Sequence, residues 1–415
     1  MNNIPDYRSA REKPHKLGEM LTYLIAGFLC GRTSVGRSLQ WCENHLTELR
    51  KHIPLKAGIA SEPTISRMLS GIDEEIFALT FMEWTAEILN ETGIHIIIDG
   101  KALRGGTEKI KGGNVPYVLN AIDAATKLVL GQLAIETKTN EITAIPQLLQ
   151  LLNVKNNVFT IDAIGTQKKI EEQIISNGGH YVLQVKRNNP ILYEEIITAF
   201  ETFEKEQKLE KRDQSREIQN YINQMDHSES MEKNRERIEY RAIDSCTDIF
   251  FLSCTKKGNF EHIKTVGRSK QIRVPIEKDS LGNNITVSRE LFIKNGSVRK
   301  PKIITGDGIK DDIQIVGIIS DMIISAKELG DYKRAHWKIE NNLHHVLDDD
   351  FREDRSTAKK SKNNLSVIRK YAYNILMIYA IKEKKDWGIQ RLMDYFSDHP
   401  KIIMEYLYKN IESFY

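Results

Sequence analysis

The chain has 415 residues, 40% of them hydrophobic, with 60 Lys and Arg against 57 Asp and Glu and a net charge of +3. That length allows two or three domains around a large core, and the near balance of charge excludes nucleic-acid binding through a global positive field, leaving local basic patches. Cys30, Cys42, Cys246 and Cys254 form no CxxC pair and have no His at zinc-finger spacing, which excludes a disulfide framework or structural zinc and points to reduced thiols.

Residues 1–16 lack a charged-then-apolar leader, and the apolar run Met20–Cys30 is far too short to span a bilayer, so a cytoplasmic, nucleoid-associated protein without membrane contact is expected. Leu21, Leu24, Ile25, Phe28 and Leu29, then Leu39, Trp41 and Cys42, recur at helical spacing and predict two helices broken near Gly31–Gly36. They begin an all-α N-terminal domain over residues 1–90. Gly58 to Leu69 reads as the turn and second helix of a helix-turn-helix, with Pro63 opening the helix and Thr64, Ser66 and Arg67 placed to reach phosphate or base edges. An ordinary capped helix in a small bundle accounts for the same residues equally well.

Residues 94–99 read Ile-His-Ile-Ile-Ile-Asp and residues 158–162 read Val-Phe-Thr-Ile-Asp. Both are short β-branched runs that stop at a carboxylate. A strand covered on both faces reads as a continuous apolar run, and an acid at its end lies at the rim where α/β sheets hold their ligands. Lys101 and Arg104 follow Asp99 in a Gly-flanked turn. Val115–Ile122 and Leu128–Ile135 predict two more strands, completing a three-stranded antiparallel meander, and Glu141–Leu152 predicts a helix. Beyond Asp162, a helix over Gln167–Ile175 and a strand over Tyr181–Val185 lead to the turn Lys186–Pro190, where Lys186 and Arg187 suit a DNA backbone or plain solvent.

From Phe203 to Arg241 the charges alternate densely, which predicts a solvated, partly flexible connector over Gln214–Arg235. Residues 236–324 then carry β-rich runs at Asp248–Ser253, Lys270–Val274, Ile285–Phe292 and Gln314–Ser320. Next comes Asp331 to Arg355, DYKRAHWKIENNLHHVLDDDFREDR. As a helix it sets His336, Glu340, His344 and Asp348 on one face, with Trp337, Ile339, Leu343, Val346 and Leu347 as apolar contacts. One carboxylate between two imidazoles suggests a face turned to metal or phosphate, the alternative being a solvated helix edge. The run Asp348, Asp349, Asp350, Glu353 and Asp354 reads as a solvated acidic turn, with recruitment of a metal as the alternative. Asn364–Ile381 predicts a helix with Arg369 and Lys370 on its polar side, and the tail from Trp387 predicts two short helices split at His399 and Pro400.

The strings IIIDGKALRGG, LVLGQLAIETKTNEITAIPQLL, TIDAIGTQKKIEEQIISNGGHYVLQVKRNNP and RAHWKIENNLHHVLDDDFREDRS occur in this order. They resemble the insertion-sequence DDE transposases related to the H-repeat-associated proteins of Rhs elements, collinearly from about residue 17 to residue 380. The resemblance implies an α/β fold: an RNase H-like catalytic core begun by residues 91–200, a charged connector and β-rich insertion over 201–325, and the catalytic Glu helix with C-terminal helices over 326–415. It implies Asp99, Asp162 and Glu340 as the catalytic triad and as ligands of two Mg²⁺ or Mn²⁺ ions per site, a geometry suited to in-line phosphoryl displacement. His336, His344, Lys101 and Asp348 stand as supporting residues, and Thr64, Ser66, Arg67, Arg104, Lys186, Arg187 and Arg334 as DNA contacts. Where related transposases place an Arg and a Lys around the Glu, this chain has His336 and Leu347. The expected partners are terminal inverted repeats, target DNA and a second copy of the chain in the DNA-bound complex. A domesticated DNA-binding relative and an RNase H-like nuclease without strand transfer are the other two readings of the same residues.

Overall fold

Apolar residues at three- and four-residue intervals make the first described elements helical. The computed structural model describes residues 4–8, 14–89, 92–104, 115–135, 141–210, 213, 215–233, 237–256, 259–275, 277–278, 284–285, 312–356, 358 and 360–408. Helices α1 (Leu17–Leu29) and α2 (Val35–Asn44) are separated at Gly31, whose φ of 71° suits a residue without a Cβ. Ser34 caps α2 by accepting from the Arg37 amide. A single turn, α3 (Leu46–Leu49), precedes α4 (Glu62–Gly71) and α5 (Glu74–Ile88), which Asp73 caps by accepting from the Glu75 and Ile76 amides. Residues 50–61, between α3 and α4, are too many for the three- or four-residue turn of a helix-turn-helix. That expectation is corrected: α4 is a bundle helix, and its close sequence neighbour is α5.

The chain forms two compact units, one of Met1–Gly179 with Ala335–Tyr415 and one of His180–Arg334. In the first, β1 (His95–Ala102), β2 (Tyr117–Asp123) and β3 (Val129–Ile135) make the antiparallel meander, after which come α6 (Glu141–Leu151), β4 (Val158–Ile161) and α7 (Lys168–Ser176). β4 lies parallel to β1, with Ile98 opposite Ile161. Strand β1 is therefore flanked on both edges, and Ile96, Ile97 and Ile98 are buried. This register sets the position of two acids. β4 stops at Ile161 while β1 continues against β2, so Asp99 and Asp162 are the next residues at one rim.

The second unit holds β5 (His180–Val185), α8 (Pro190–Glu206), α9 (Arg216–Asn223), β6 (Met225–Lys233), β7 (Arg237–Cys246), α10 (Ser253–Lys256), β8 (Thr265–Pro275), the short pair β9 (Glu277–Lys278) and β10 (Asn284–Ile285), and β11 (Asp312–Ser320). Strands β5, β11, β8, β7 and β6 pair antiparallel in that order. Fully buried Arg268 is held by Asp244 at 2.6 Å and Glu204 at 2.5 Å, above the Phe200 ring. Two expectations are corrected here. The connector over Gln214–Arg235 contains α9 and β6, whose charges suit an edge strand and pair across to β7, Tyr240 donating to Glu229 at 2.7 Å and Arg241 to Glu232 at 3.1 Å. Asp248–Ser253 is no strand, because the Asp248 carboxylate accepts from the Phe250 amide and turns the chain into α10. Of Ile285–Phe292, all but Ile285 lies outside the described residues.

Helix α11 (Ala326–Ile339) crosses the division at Arg334 and runs into a π-helical turn, Glu340–His344, and then α12 (His345–Asp349). After the 3₁₀ turn Glu353–Arg355 come α13 (Lys362–Lys382), α14 (Ile389–Asp398) and α15 (Pro400–Tyr408). One hydrophobic cluster joins the N-terminal helices to these last ones, with Leu24, Phe28, Phe77 and Phe81 beside Ile368, Leu376 and Phe396. Three more expectations change. Arg369 and Lys370 are buried, because α13 is enclosed on nearly every side. Glu353 is also buried and not part of a solvated turn. Trp337, read as a core contact, is 45% exposed: in the regular helix α11 it lies about 200° around the axis from buried Ile339, and burial falls to Ile339, Leu343, Leu347 and Phe351.

Trp337→Ala should therefore lower unfolding free energy by less than about 1 kcal/mol, whereas Leu343→Ala should cost roughly 2–5 kcal/mol. Urea unfolding separates the two, and equal losses would make Trp337 a core residue after all.

Candidate active site

Parallel pairing of β1 with β4, with backbones about 4.8 Å apart, stops at Ile98 and Ile161; the expectation that β1 stops at Asp99 is corrected, because pairing with β2 carries it on to Ala102. Asp99 continues β1 beyond the last paired residue of β4, and Asp162 leaves β4 by accepting from the Ala163 amide at 2.7 Å, starting a 3₁₀ turn. Both acids are half-buried. Exposed Glu340 opens the π turn, and His344, the last residue of that turn, brings its Nδ1 to 3.8 Å from Asp99 Oδ2. Burial pushes the Asp99 carboxyl up to about 7, the Gly100 amide opposes this, and the charges of Asp162, Glu141 and Glu340 add to the rise. The side chain keeps 29% of its surface open. Solvent weakens the burial contribution there, while the charges of Asp162, Glu141 and Glu340 still act on Asp99.

Burial disfavours the protonated form of two imidazoles near these acids. Burial, with Lys101 and Lys370 nearby, pulls His344 down to about 3, and burial with His336 does the same to His95. Thr160 Oγ1 lies 2.8 Å from His95 Nε2 and 3.1 Å from His336 Nδ1, which ties α11 to β4. Asn120 lies directly opposite Asp99 in the β1–β2 pairing, is fully buried, and has no hydrogen-bond partner for either amide atom among the described residues.

A second, buried set of charges braces the first. Lys101, two residues beyond Asp99 and on the same face of β1, reaches Asp348 at 2.6 Å and Glu353 at 3.1 Å. Arg369 stands 3.7 Å from the other oxygen of Glu353, while Lys370 donates to Gln132 and, at 2.9 Å, to Ser366. Burial alone would raise the Glu353 carboxyl, but Lys101, Arg369 and Lys370 hold it down to about 2. Burial works against the Lys101 ammonium too, yet Glu353 and Asp348 raise its pKa. Asp348 is nevertheless shifted upward: burial, Asp354 and Glu353 outweigh its pairing with Lys101.

The structure thus brings Asp99, Asp162, Glu340, His336, His344, Lys101 and Asp348 into the first unit, with Lys101 and Asp348 bound to each other. Among the described residues no three His, Cys, Asp or Glu side chains converge closely enough to share one ion. The chemistry around Asp99 still fits a hard divalent cation, being oxygen-rich, dominated by negative charge and open at a rim. Asp99 and Asp162 are the rim acids that could contact it, and Glu340 bears on Asp99 through its charge. Of the expected DNA contacts, Ser66, Arg67 and Arg104 are exposed in the first unit, with Thr64 half-buried. In the second unit Lys186, Arg187 and Arg334 are exposed, Arg334 being ion-paired with Glu232. Sequence reading missed Glu141, Thr160, Asn120, Arg369 and Lys370 as neighbours of these acids, and it named Glu353 only within the acidic run. Only Glu141 carried a local signal, an acid opening a predicted helix.

Residues 91–375 match the family described as Transposase DDE domain, and residues 1–85 match one described as DDE_Tnp_1-associated. A protein of Escherichia coli O157:H7 whose name marks YncI as a candidate transposase is 29% identical over 376 residues, 90% of this chain and 85% of its own. An uncharacterised protein of Xanthobacter autotrophicus, encoded in the region 3′ of dhlA, is 30% identical over 70% of this chain and 91% of its own. The H repeat-associated YhhI of Escherichia coli K12, also named as a candidate transposase, is 35% identical over 44% of this chain and 49% of its own. A piggyBac transposase in a synaptic complex with hairpin DNA aligns over the whole of this chain and 79% of its own, with a TM-score of 0.41 and 11% identity.

Glu353→Gln should destabilise the protein by roughly 3–5 kcal/mol at neutral pH, as loss of one partner leaves Lys101 and Arg369 buried beside a neutral group. The carboxyl sits at about 2 against an ordinary 4.5, so its stabilising effect is full above about 4.5 and vanishes as pH falls toward 2. Unfolding curves across that range should show wild type and variant converging. A constant gap would exclude an ionised Glu353.

Proposed function

The chain belongs to the Transposase DDE domain family, and from that membership we propose that it cuts DNA at the ends of an insertion element and joins those ends to target DNA. The catalytic residues are Asp99, Asp162 and Glu340, carried on an RNase H-like core. The observation that supports this most directly is the strand register, which sets Asp99 beside Asp162 at the point where β4 stops and β1 continues. Glu340, from a third segment, bears on Asp99 through its charge, after burial and together with Asp162 and Glu141.

Divalent cations bound at this rim, Mg²⁺ or Mn²⁺, would activate the attacking oxygen and stabilise the leaving 3′ oxygen. No protein nucleophile is needed: water makes the first cut and the freed 3′ hydroxyl attacks the target. Asp99 and Asp162 supply fixed oxygens because their backbones are locked by strand pairing and, for Asp162, by its bond to Ala163. Glu340 is the exposed member, on a π turn whose extra residue turns it away from the buried face occupied by His336 and His344. Neutral His344 beside Asp99 can hydrogen-bond without competing as a cation. Lys101 positions β1 against the segment after Glu340 and is not available to a phosphate. Exposed Ser66, Arg67, Arg104, Lys186 and Arg187 hold the DNA backbone, and Arg334 joins them once released from Glu232. The complex contains two copies of the chain on paired terminal repeats, in the cytoplasm at the nucleoid.

Asp99→Asn, Asp162→Asn and Glu340→Gln should each remove cleavage of a supercoiled plasmid bearing the element ends, with losses well beyond the roughly 10–100-fold that supporting changes cost. Circular dichroism and end binding should stay near wild type. Mg²⁺ or Mn²⁺ should restore activity after EDTA. Undiminished cleavage by Glu340→Gln together with inactive Asp348→Asn would move the third acid to the acidic run, and cutting without joining would make the protein a nuclease. For DNA contact, Arg67→Ala should weaken binding similarly across sequences and lower the salt slope by about one. An unchanged slope would take Arg67 off the backbone.

A further inference from the structure

Asn120 sits in the middle of β2, the central strand of the meander, and is fully buried. Register places it directly opposite Asp99 on β1 and Gln132 on β3, so the three side chains stand in one row on one face of the sheet. Neighbouring Cβ atoms in such a row are about 4.5–5.5 Å apart. Neither Nδ2 nor Oδ1 of Asn120 has a hydrogen-bond partner among the described residues. An amide buried in this way costs folding free energy, and a leucine would fill the same space without that cost.

The row also has a direction. Lys370, fully buried on α13, carries donors only; it donates to Gln132 Oε1 and, at 2.9 Å, to Ser366 Oγ. With its oxygen taken, Gln132 offers its NH₂ group, and the next acceptor along the row is Asn120 Oδ1. That leaves the NH₂ group of Asn120 for Asp99, whose carboxylate can only accept when ionised. Donor and acceptor therefore match at every step from α13 to the rim, while the two links that Asn120 would make are open in this structure.

We propose that Asn120 is a positioning residue for Asp99: when the rim holds a divalent cation, the Asn120 amide donates to the ionised carboxylate, closes the row from Lys370 and fixes the orientation of the acid. The proposal rests on the transposase reading above and concerns a residue outside its triad. Hydrogen bonds of this kind are commonly open in an unliganded site and tighten when the site is filled. Lys370 supports the negative charge of Asp99 only through two amides, so its ammonium does not occupy the place of the metal.

The test uses the full chain, with Mn²⁺ alone as probe, bound metal followed by electron paramagnetic resonance and stability by thermal unfolding in EDTA. Asn120→Leu, matched in size but without a donor, should weaken Mn²⁺ binding by about 10–100-fold, as for groups that support a metal site. Its Tm in EDTA should stay level or rise, because an unpartnered amide is gone. Asn120→Ser keeps a donor and should hold Mn²⁺ more tightly than Asn120→Ala, which is nearly the same size without one. Asp99→Asn serves as the reference for loss of the centre. Wild-type Mn²⁺ affinity in Asn120→Leu, with binding lost in Asp99→Asn, would overturn this proposal and leave the transposase reading standing, as would a lowered Tm with unchanged affinity. Should Asn120→Leu not fold, Asn120→Ser and Asn120→Ala decide, and equal Mn²⁺ affinity in those two overturns the proposal. Failure of wild type to bind Mn²⁺ would overturn both.

Discussion

The ion network centred on Lys101 is the constraint on which the site depends. Its ammonium lies on the same face of β1 as Asp99 and is bound to Asp348 and Glu353, which follow Glu340 in the chain. Strand β1 and the π turn are more than two hundred residues apart in sequence. Little in local propensity brings them together. A buried cation shared by two acids, one of them also near Arg369, fixes their separation, since sliding either segment would leave charge buried without its partner.

This arrangement balances two opposed electrostatic demands. Around Asp99, burial and then the charges of Asp162, Glu141 and Glu340 raise the cost of ionising its carboxyl, which disfavours the fold while it prepares the rim for positive charge. Around Glu353 three basic groups do the reverse and hold a buried acid ionised. The π turn lies between these regions, with Glu340 exposed, His344 beside Asp99, and α12 leading on to Asp348. Such a one-turn insertion costs helix regularity, and π bulges often occur where function requires a side chain out of phase. The stable half of the network lets the repulsive half keep its geometry.

The features legible in the sequence are the local ones. Asp162 at a strand end, the meander and helix α6 were readable, because β-branched runs, turns and helical spacing are written in adjacent residues, whereas β1 continues past Asp99 to Ala102 through its pairing with β2. Apolar character alone misplaces Trp337, which lies about 200° around the helix axis from buried Ile339 and faces outward. Arg369 and Lys370 look like a polar face because their partners, Glu353 and Gln132, come from distant segments. The edge strand β6 is hidden for a related reason: its alternating charges are satisfied across the ladder by β7, a pairing that charge density along one segment does not reveal.

Anomalous diffraction from crystals grown with Mn²⁺ tests the central claim most directly, that Asp99, Asp162 and Glu340 make one metal-dependent centre. The account predicts manganese density contacted by the carboxylates of Asp99 and Asp162, with Glu340 completing its shell. Density seated instead on the acidic run from Asp348 to Asp354, with none at Asp99, would contradict it.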